Sequence, residues 1–389
     1  MSQNEALSLK ENISPPTISH QELLKKNLMH TPRELELNIT SRCNLRCLYC
    51  AHFTGDGDVE HELSTTEWLD FFGKCGESKI MELSLSGGEP FIRDDFRELI
   101  NGIIENRMRY SILSNGTLIS EEIADFLAST NRCINVQLSI DASKAEIHDS
   151  CRGNGVFELA MQGLKNLRKV EMKPTVRVTI SRKNLKFLED TAHFLLEEIG
   201  LPNFSTNSAG FIGLCRQNSE ELQLNFSDRQ YAMETLLRLN EKYQNRIIAA
   251  AGPLAEAKTW SAMERARLAN EPKWPRGGAL TACGCVWNKF SVRSDGAFCI
   301  CNQIPHLVLG WANRDDLTEI WQNNPDLWRM RLRPDIPLDI FEICKSCLYK
   351  SYCTGNCPAL AYSTTGNLFS PSPDACLKLY LEKGGKLPS

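Results

Sequence analysis

The chain is 389 residues long, 42% hydrophobic and 24% charged, with a net charge of −4. That suits two or three globular domains and argues against a nucleic-acid or anionic-membrane surface as a partner. The N-terminal "MSQNEALSLKENISPP" has no apolar core to act as a secretion signal, and no run approaches the roughly 18 apolar residues of a membrane span, so a cytoplasmic protein is expected.

Residues 1–32 are polar and read as a loosely held arm. From Glu34, "ELELNIT" alternates Leu35, Leu37 and Ile39 on one face, a strand ending just before Cys43. "STTEWLDFFGKC" follows, a helix with Ser64 as its cap and Glu67 as the answering carboxylate of a capping box. The alternation continues with strands at Ile80–Ser86, Tyr110–Ser114, Ile134–Asp141, Thr175–Ser181 and Asn203–Thr206. Helices are expected at Phe91–Asn106, Ser120–Ser129, Val156–Lys169 and Leu185–Ile199. Six strands with helices between them in residues 33–210 specify an α/β domain with a parallel sheet and right-handed crossovers. Periodicity leaves two closures open, a partial barrel and an open doubly wound sheet. In both, the chemistry belongs at the C-terminal strand ends, where the first cysteine loop sits. Residues 211–280 break the rhythm with two helices, "RQYAMETLLRLNEKY" and "LAEAKTWSAMERARLAN", bridging to a cysteine-rich region at 281–389. Within that region Trp321–Arg333 reads as a short amphipathic helical stretch whose role is packing.

Sixteen cysteines in a reducing compartment point to metal rather than disulfides. Three lie in "CNLRCLYC", as Cys43, Cys47 and Cys50, and nine more lie between Cys283 and Cys376. Cys75, Cys133, Cys151 and Cys215 are scattered and read as small buried hydrophobes. Zinc sites usually complete four ligands, whereas three thiolates at Cys-x3-Cys-x2-Cys spacing can turn around one iron–sulfur cubane and leave an iron open.

These residues resemble the signature of the radical S-adenosylmethionine (SAM) enzymes, Cys-x3-Cys-x-aromatic-Cys after the first strand, with Tyr49 as the aromatic. The resemblance implies a partial (β/α)6 TIM-like barrel. It also implies a 4Fe–4S cluster whose open iron is chelated by SAM, and reductive cleavage of SAM to a 5′-deoxyadenosyl radical that abstracts hydrogen. Further motifs follow in the family's order. "SGGEP" supplies Gly87, Gly88 and Glu89 for the methionine ammonium. "LSNGT" supplies Ser114 and Asn115, "LSIDAS" supplies Ser139 and Asp141 facing the ribose, and "CRGNGVF" supplies Arg152 for the SAM carboxylate. The glycines suit close approach of backbone to the ligand, and Glu89 offers a carboxylate to a cation.

The C-terminal thiols resemble a seven-cysteine SPASM domain, which implies two auxiliary 4Fe–4S clusters and three clusters in all. By that resemblance the cluster farther from the core takes Cys344, Cys347, Cys353 and Cys376, and the nearer one Cys285, Cys301 and Cys357. For the nearer cluster's fourth ligand, Cys283 resembles the upstream cysteine of relatives, though Cys-x-Cys is tight for two irons of one cube; Cys299 is a further possibility, and with neither bound this cluster too would have an open iron. SPASM-bearing relatives mostly modify peptides. The expected activity is therefore maturation of a ribosomally made precursor peptide, with an oxidative carbon–carbon or thioether crosslink as first choice. Epimerisation, with Cys151 or Cys215 as weak hydrogen donors, and backbone excision are the alternatives. A non-catalytic electron-transfer or scaffold protein is the alternative of another class. Asn302, after Cys301, cannot take a proton at neutral pH, which speaks against sulfatase maturation. Only 42 residues precede Cys43, too few for a leader-binding domain, so a separate recognition protein is expected, together with a reductant such as flavodoxin or ferredoxin.

Overall fold

The computed structural model describes residues 25, 27–53 and 61–388; of the arm expected at 1–32, residues 1–24 and 26 lie outside the described residues. Six parallel strands follow the chain across one sheet: β1 (Glu34–Thr40), β2 (Glu82–Gly87), β3 (Arg109–Ser114), β4 (Cys133–Ser139), β5 (Thr175–Ile180) and β6 (Phe204–Ser208). Four short strands extend it: β7 (Ile247–Ala249) beyond β6, and β8 (Lys289–Val292), β9 (Ala297–Cys299) and β10 (Val308–Trp311) beyond β1. The order β10-β9-β8-β1-β2-β3-β4-β5-β6-β7 leaves β10 and β7 as edges, so the barrel is partial.

The six strands expected within 33–210 are present as β1 to β6; four more, in runs of three or four residues too short to show an alternation, bring the sheet to ten strands among the described residues. The stretch 211–280 contributes β7 and two short helices besides the two long ones expected. One expectation needs correction. The stretch Trp321–Arg333 is broken: helices Leu317–Asn323 and Pro325–Arg331 meet at Asn324, which caps the second, with Pro325 at its first position. A helix at Ala145–Arg152 was not expected; its mean hydropathy is low and it carries only a narrow apolar stripe.

Strand alternation sorts the core from the interior. Leu35, Leu37, Leu83, Leu85, Ile112, Leu138, Val176 and Val178 point outward under the helices and are at most 1% exposed. The opposite face carries Glu36, Asn38, Ser86, Asn135, Gln137, Arg177 and Asn207, all half-buried. Closed parallel barrels fill this space with branched apolar side chains. A polar, half-accessible interior is instead a chamber for a ligand.

The register fixes the two ends of that chamber. Thr40 leads into the Cys43 loop at the C-terminal end of β1. β8 lies parallel to β1 with Lys289 opposite Glu34, so the helix Cys285–Asn288 before it sits at the other end. The two cysteine groups are thus separated by the length of a strand, roughly 20 Å at 3.3 Å per residue.

Candidate metal centres

The first cysteine loop is held on three sides. Gly88 and Glu89 donate their backbone N–H groups to the carbonyls of Thr40 and Arg42, each at 2.9 Å. A Cβ on Gly87 would stand 2.2 Å from the Thr40 carbonyl oxygen, and one on Gly88 2.0 Å from that of Arg42. The glycine pair is therefore needed first for strand β2 to close on the base of the loop, a different reason from ligand approach. Leu48 N–H donates to the Cys151 carbonyl and Leu214 N–H to that of Cys50, both at 2.9 Å. Cys151 and Cys215 pack with Leu222, Leu48 and Tyr49 under the loop, as expected of buried hydrophobes.

Burial raises the Cys43 thiol pKa, and the neighbouring Cys50 adds to it; Cys50 and Cys43 likewise add to the rise at Cys47, so the three thiols lie close together. Burial pushes the Cys47 thiol up to about 11, with the Arg152 guanidinium opposing it. Such thiols need a cation to become thiolates, which iron supplies. Among the described residues no three Cys, His, Asp or Glu side chains surround a single ion; the thiolates of a cubane each meet a different iron.

Glu89 is wholly buried. Its carboxylate accepts hydrogen bonds from Ser114 Oγ at 2.9 Å, Asn115 N–H at 2.8 Å and Phe91 N–H at 3.3 Å. Burial nonetheless raises its pKa to about 7, because none of these donors is a cation. A carboxylate aimed at the loop end and lacking a counter-ion among the described residues fits an ammonium ligand. Ser114 and Asn115 are organised around Glu89 and the loop. The Asn115 amide donates to Asn44 Oδ1 at 2.9 Å and approaches Cys43 Sγ at 3.9 Å, and its own Oδ1 accepts from Thr117.

Asp141 and Arg152 pair with each other. Arg152 Nε donates to Asp141 at 2.6 Å, Thr179 N–H donates to the same carboxylate at 2.8 Å, and so does the Tyr49 hydroxyl. Burial raises the Asp141 pKa, but the Arg152 guanidinium and these donors outweigh it, so the carboxyl stays below its ordinary value. Buried Asp141 and Arg152, with half-buried Tyr49, clamp the loop to β5 and the end of β4 and satisfy the carboxylate. Arg152 retains one outward contact, Nη1 to Cys47 Sγ at 4.0 Å. Ser139 lies half-buried on the interior face of β4.

Two groups form at the cysteine-rich end. Cys344, Cys347, Cys353 and Cys376 lie together: burial raises the thiol pKa of Cys344, Cys353 and Cys376, that of Cys353 to about 11, and the neighbouring thiols, Cys347 among them, add to it. Cys283 Sγ lies 3.6 Å from Cys285 Sγ, and Cys285 meets Cys301. Cys357 is linked to Cys283 through Arg333, which feels both. Cys299 stands apart: it is wholly buried and its thiol donates to the Pro305 carbonyl at 3.2 Å.

Glu36 belongs to none of the sequence motifs. Its carboxylate accepts from Lys289 and, at 3.3 Å, from Ser291, on the chamber wall beside Cys285. Asn302 Nδ2 lies 3.5 Å from it. An acid sought next to Cys301 in sequence thus lies on β1, brought there by β8 pairing; its even-numbered place among Glu34, Asn38 and Thr40 was the available signal.

Comparison with known proteins agrees with this arrangement. Residues 37–195 match the Radical SAM superfamily, and residues 283–348 match SPASM, an iron-sulfur cluster-binding domain. The AdoMet-dependent heme synthase of Methanosarcina barkeri is 26% identical over 349 residues, 89% of this chain and 97% of that protein. The mycofactocin maturase MftC of Mycobacterium ulcerans is 32% identical over 165 residues, 42% of this chain and 44% of that protein. Among solved structures, Streptococcus suis SuiB bound to precursor peptide SuiA superposes with a TM-score of 0.66 at 17% identity, covering 95% of this chain and 85% of that one. The barrel, the ordered motifs and both matches make this chain an enzyme that carries a Radical SAM domain followed by a C-terminal SPASM domain.

Proposed function

We propose that the protein is a maturase of a ribosomally made precursor peptide and that it introduces an oxidative carbon–carbon or thioether crosslink. One observation supports this above the others: the polar chamber has a cysteine group at each end. Cys43, Cys47 and Cys50 would hold the cluster that binds SAM, with Glu89 facing its ammonium; Cys283, Cys285, Cys301 and Cys357 would hold one auxiliary cluster and Cys344, Cys347, Cys353 and Cys376 another. Bound together, the first cluster and SAM supply hydrogen-atom abstraction, and the auxiliary clusters supply an exit for a second electron. The chain's own residues do the rest. Asn115, Tyr49 and Arg152 fix the loop; Asn135, Gln137 and Arg177 line the space where a peptide side chain inserts; Glu36 accepts the proton released as the crosslink forms, at the end opposite the SAM loop.

A separate protein that recognises the leader, a flavodoxin- or ferredoxin-type reductant and a cytoplasmic setting complete the proposal. Among the described residues no helix is long and apolar enough to cross a membrane. The test is to incubate the anaerobically reconstituted, reduced protein with SAM and short peptides encoded beside its gene. Formation of 5′-deoxyadenosine with a peptide lighter by two hydrogens supports a crosslink; unchanged mass means epimerisation, and a residue-sized loss means excision. No 5′-deoxyadenosine under any condition returns the non-catalytic reading.

The end-to-end similarity to a heme synthase favours a second reading, a tetrapyrrole substrate in the same chamber. The same assay with iron coproporphyrin in place of peptide separates the two.

A further inference from the structure

The stretch 321–333 does more than pack. It ends in two arginines, Arg331 and Arg333, that are 1% and 0% exposed. Neither makes an ion pair with a carboxylate among the described residues. Arg333 is clasped by three neutral acceptors: its Nε donates to the Leu368 carbonyl and its Nη2 to that of Ser370, each at 2.8 Å, and its Nη1 to that of Thr281. Arg331 donates Nε to the Val286 carbonyl at 2.9 Å, beside Cys285, while Trp321 and Trp328 stack on its guanidinium at 4.5 and 4.8 Å. Its Nη1 and Nη2 have no hydrogen-bond partner among the described residues.

A buried cation without a counter-charge costs several kcal/mol, and proteins keep one where an anion completes the site. Carbonyls and indole faces hold these guanidiniums but do not neutralise them. Both arginines lie against one cysteine group: Arg333 holds the Thr281 carbonyl two residues before Cys283, and Arg331 holds the Val286 carbonyl next to Cys285. Burial lowers both arginines to about 10, so they remain charged at neutral pH. The other thiol group differs: its neighbouring cation is Lys378, 23% exposed, which lies 3.8 Å from Glu382 and donates to the Ile343 carbonyl.

We propose that Arg333, with Arg331 behind it, is the counter-charge of an iron–sulfur cluster held by Cys283, Cys285, Cys301 and Cys357, and that it sets this cluster's reduction potential above that of the cluster at Cys344, Cys347, Cys353 and Cys376. The proposal rests on the two-cluster reading above. The physics is simple charge balance. A thiolate-bound cluster is anionic and gains one further negative charge on reduction, with no bond made or broken, so a fixed cation beside it favours the reduced form. Such an ordering makes the cluster beside the chamber the readier electron acceptor.

The test is an EPR-monitored redox titration of the anaerobically reconstituted protein with soluble mediators, using Cys301→Ala and Cys344→Ala to assign the two C-terminal signals. Arg333→Gln is expected to move the signal abolished by Cys301→Ala to a more negative potential and to leave the other signals in place. Arg333→Lys, which keeps the charge, stays near the wild type, and Arg331→Met shifts the same signal by less. Lys378→Gln moves only the signal abolished by Cys344→Ala. Loss of iron in Arg333→Gln but not in Arg333→Lys also supports the counter-charge. An unshifted signal in Arg333→Gln at full iron content overturns it, as does equal loss of iron in both variants, which would leave Arg333 a clasp for three carbonyls. A wild-type protein whose iron content is insensitive to Cys301→Ala and Cys344→Ala overturns the cluster reading itself, a result visible before any arginine is changed.

Discussion

The two ends of the barrel handle charge in opposite ways. At the Cys43 loop, the buried cation Arg152 is neutralised by Asp141, and the buried group left without a counter-charge among the described residues is a carboxyl, Glu89. At the Cys285 end the buried groups left without a carboxylate counter-charge among the described residues are cations, Arg331 and Arg333. On the proposed assignment, a site that accepts a ligand carrying its own ammonium and sulfonium would need an anion waiting for it, and a cluster closed by protein thiolates would need a cation from the fold. The surrounding charges would then separate an open iron from a closed one as well as the number of cysteines does.

The largest expected effect tests whether the chamber links those ends. Replacing Glu36 by Gln keeps the hydrogen-bonding shape beside Asn302 and removes the proton acceptor. Product formation is expected to fall about 10²–10⁴-fold, the usual worth of a general base, while 5′-deoxyadenosine formation persists. A parallel fall in both, by mass spectrometry and chromatography of the same reaction, would move Glu36 out of this role.

Next in size is the clamp under the SAM loop. Asp141→Asn leaves Arg152 buried without its counter-ion, so the protein should lose about 3–5 kcal/mol of stability in chemical denaturation. If it loses less than about 1 kcal/mol, Arg152 is neutralised by something other than Asp141.

How much of this was readable in the sequence depends on the range of the signal. The core strands β1 to β6 and their helices were legible because Leu35, Leu37 and Ile39, and their counterparts in each strand, alternate locally. The helix Val156–Lys169 and the Ser64–Glu67 capping box fall where expected for the same reason. β7 to β10 were not legible: each is three or four residues long and exists because a partner strand is already there. Among site residues, the loop, glycine and arginine motifs could be placed by resemblance, but their pairings could not. That Asp141 answers Arg152, and that Glu36 meets Asn302 across 266 positions, are facts of tertiary packing. The arginines at 331 and 333 had no motif at all, and only their burial sets them apart.

A smaller effect sharpens the contrast through pH. Glu89 is raised to about 7 and binds a cation only when ionised, so SAM affinity should rise with pH through that value and be about tenfold weaker at pH 6 than at pH 8. Glu89→Gln should bind weakly with no such slope, read by equilibrium titration of the reconstituted protein. In the free protein the sign reverses. A carboxyl raised above its unfolded value of 4.5 favours the fold when protonated, so that contribution is full below pH 4.5 and gone above about 7. A slope of the same sign in both measurements would mean that another group titrates.

The smallest expected effect concerns Cys299, the further possibility beside Cys283 as a ligand. Cys283 has a left-handed backbone at φ 68°, and its sulfur lies 3.6 Å from that of Cys285. Cys299 closes β9 and is paired on both sides, opposite Ser291 and Val308, with Arg293 and Asp295 as its charged neighbours. A thiol held there cannot reach the Cys285 group without breaking the β8–β9–β10 pairing that joins the cysteine-rich region to the barrel. Cys299→Ser should therefore leave iron and sulfide content unchanged and cost about 1–3 kcal/mol, the price of a more polar group in an apolar site. Cys283→Ser should instead change the EPR signal assigned through Cys301. If the two variants exchange these outcomes, Cys299 is the ligand, and the strand that carries it must rearrange when the cluster is built.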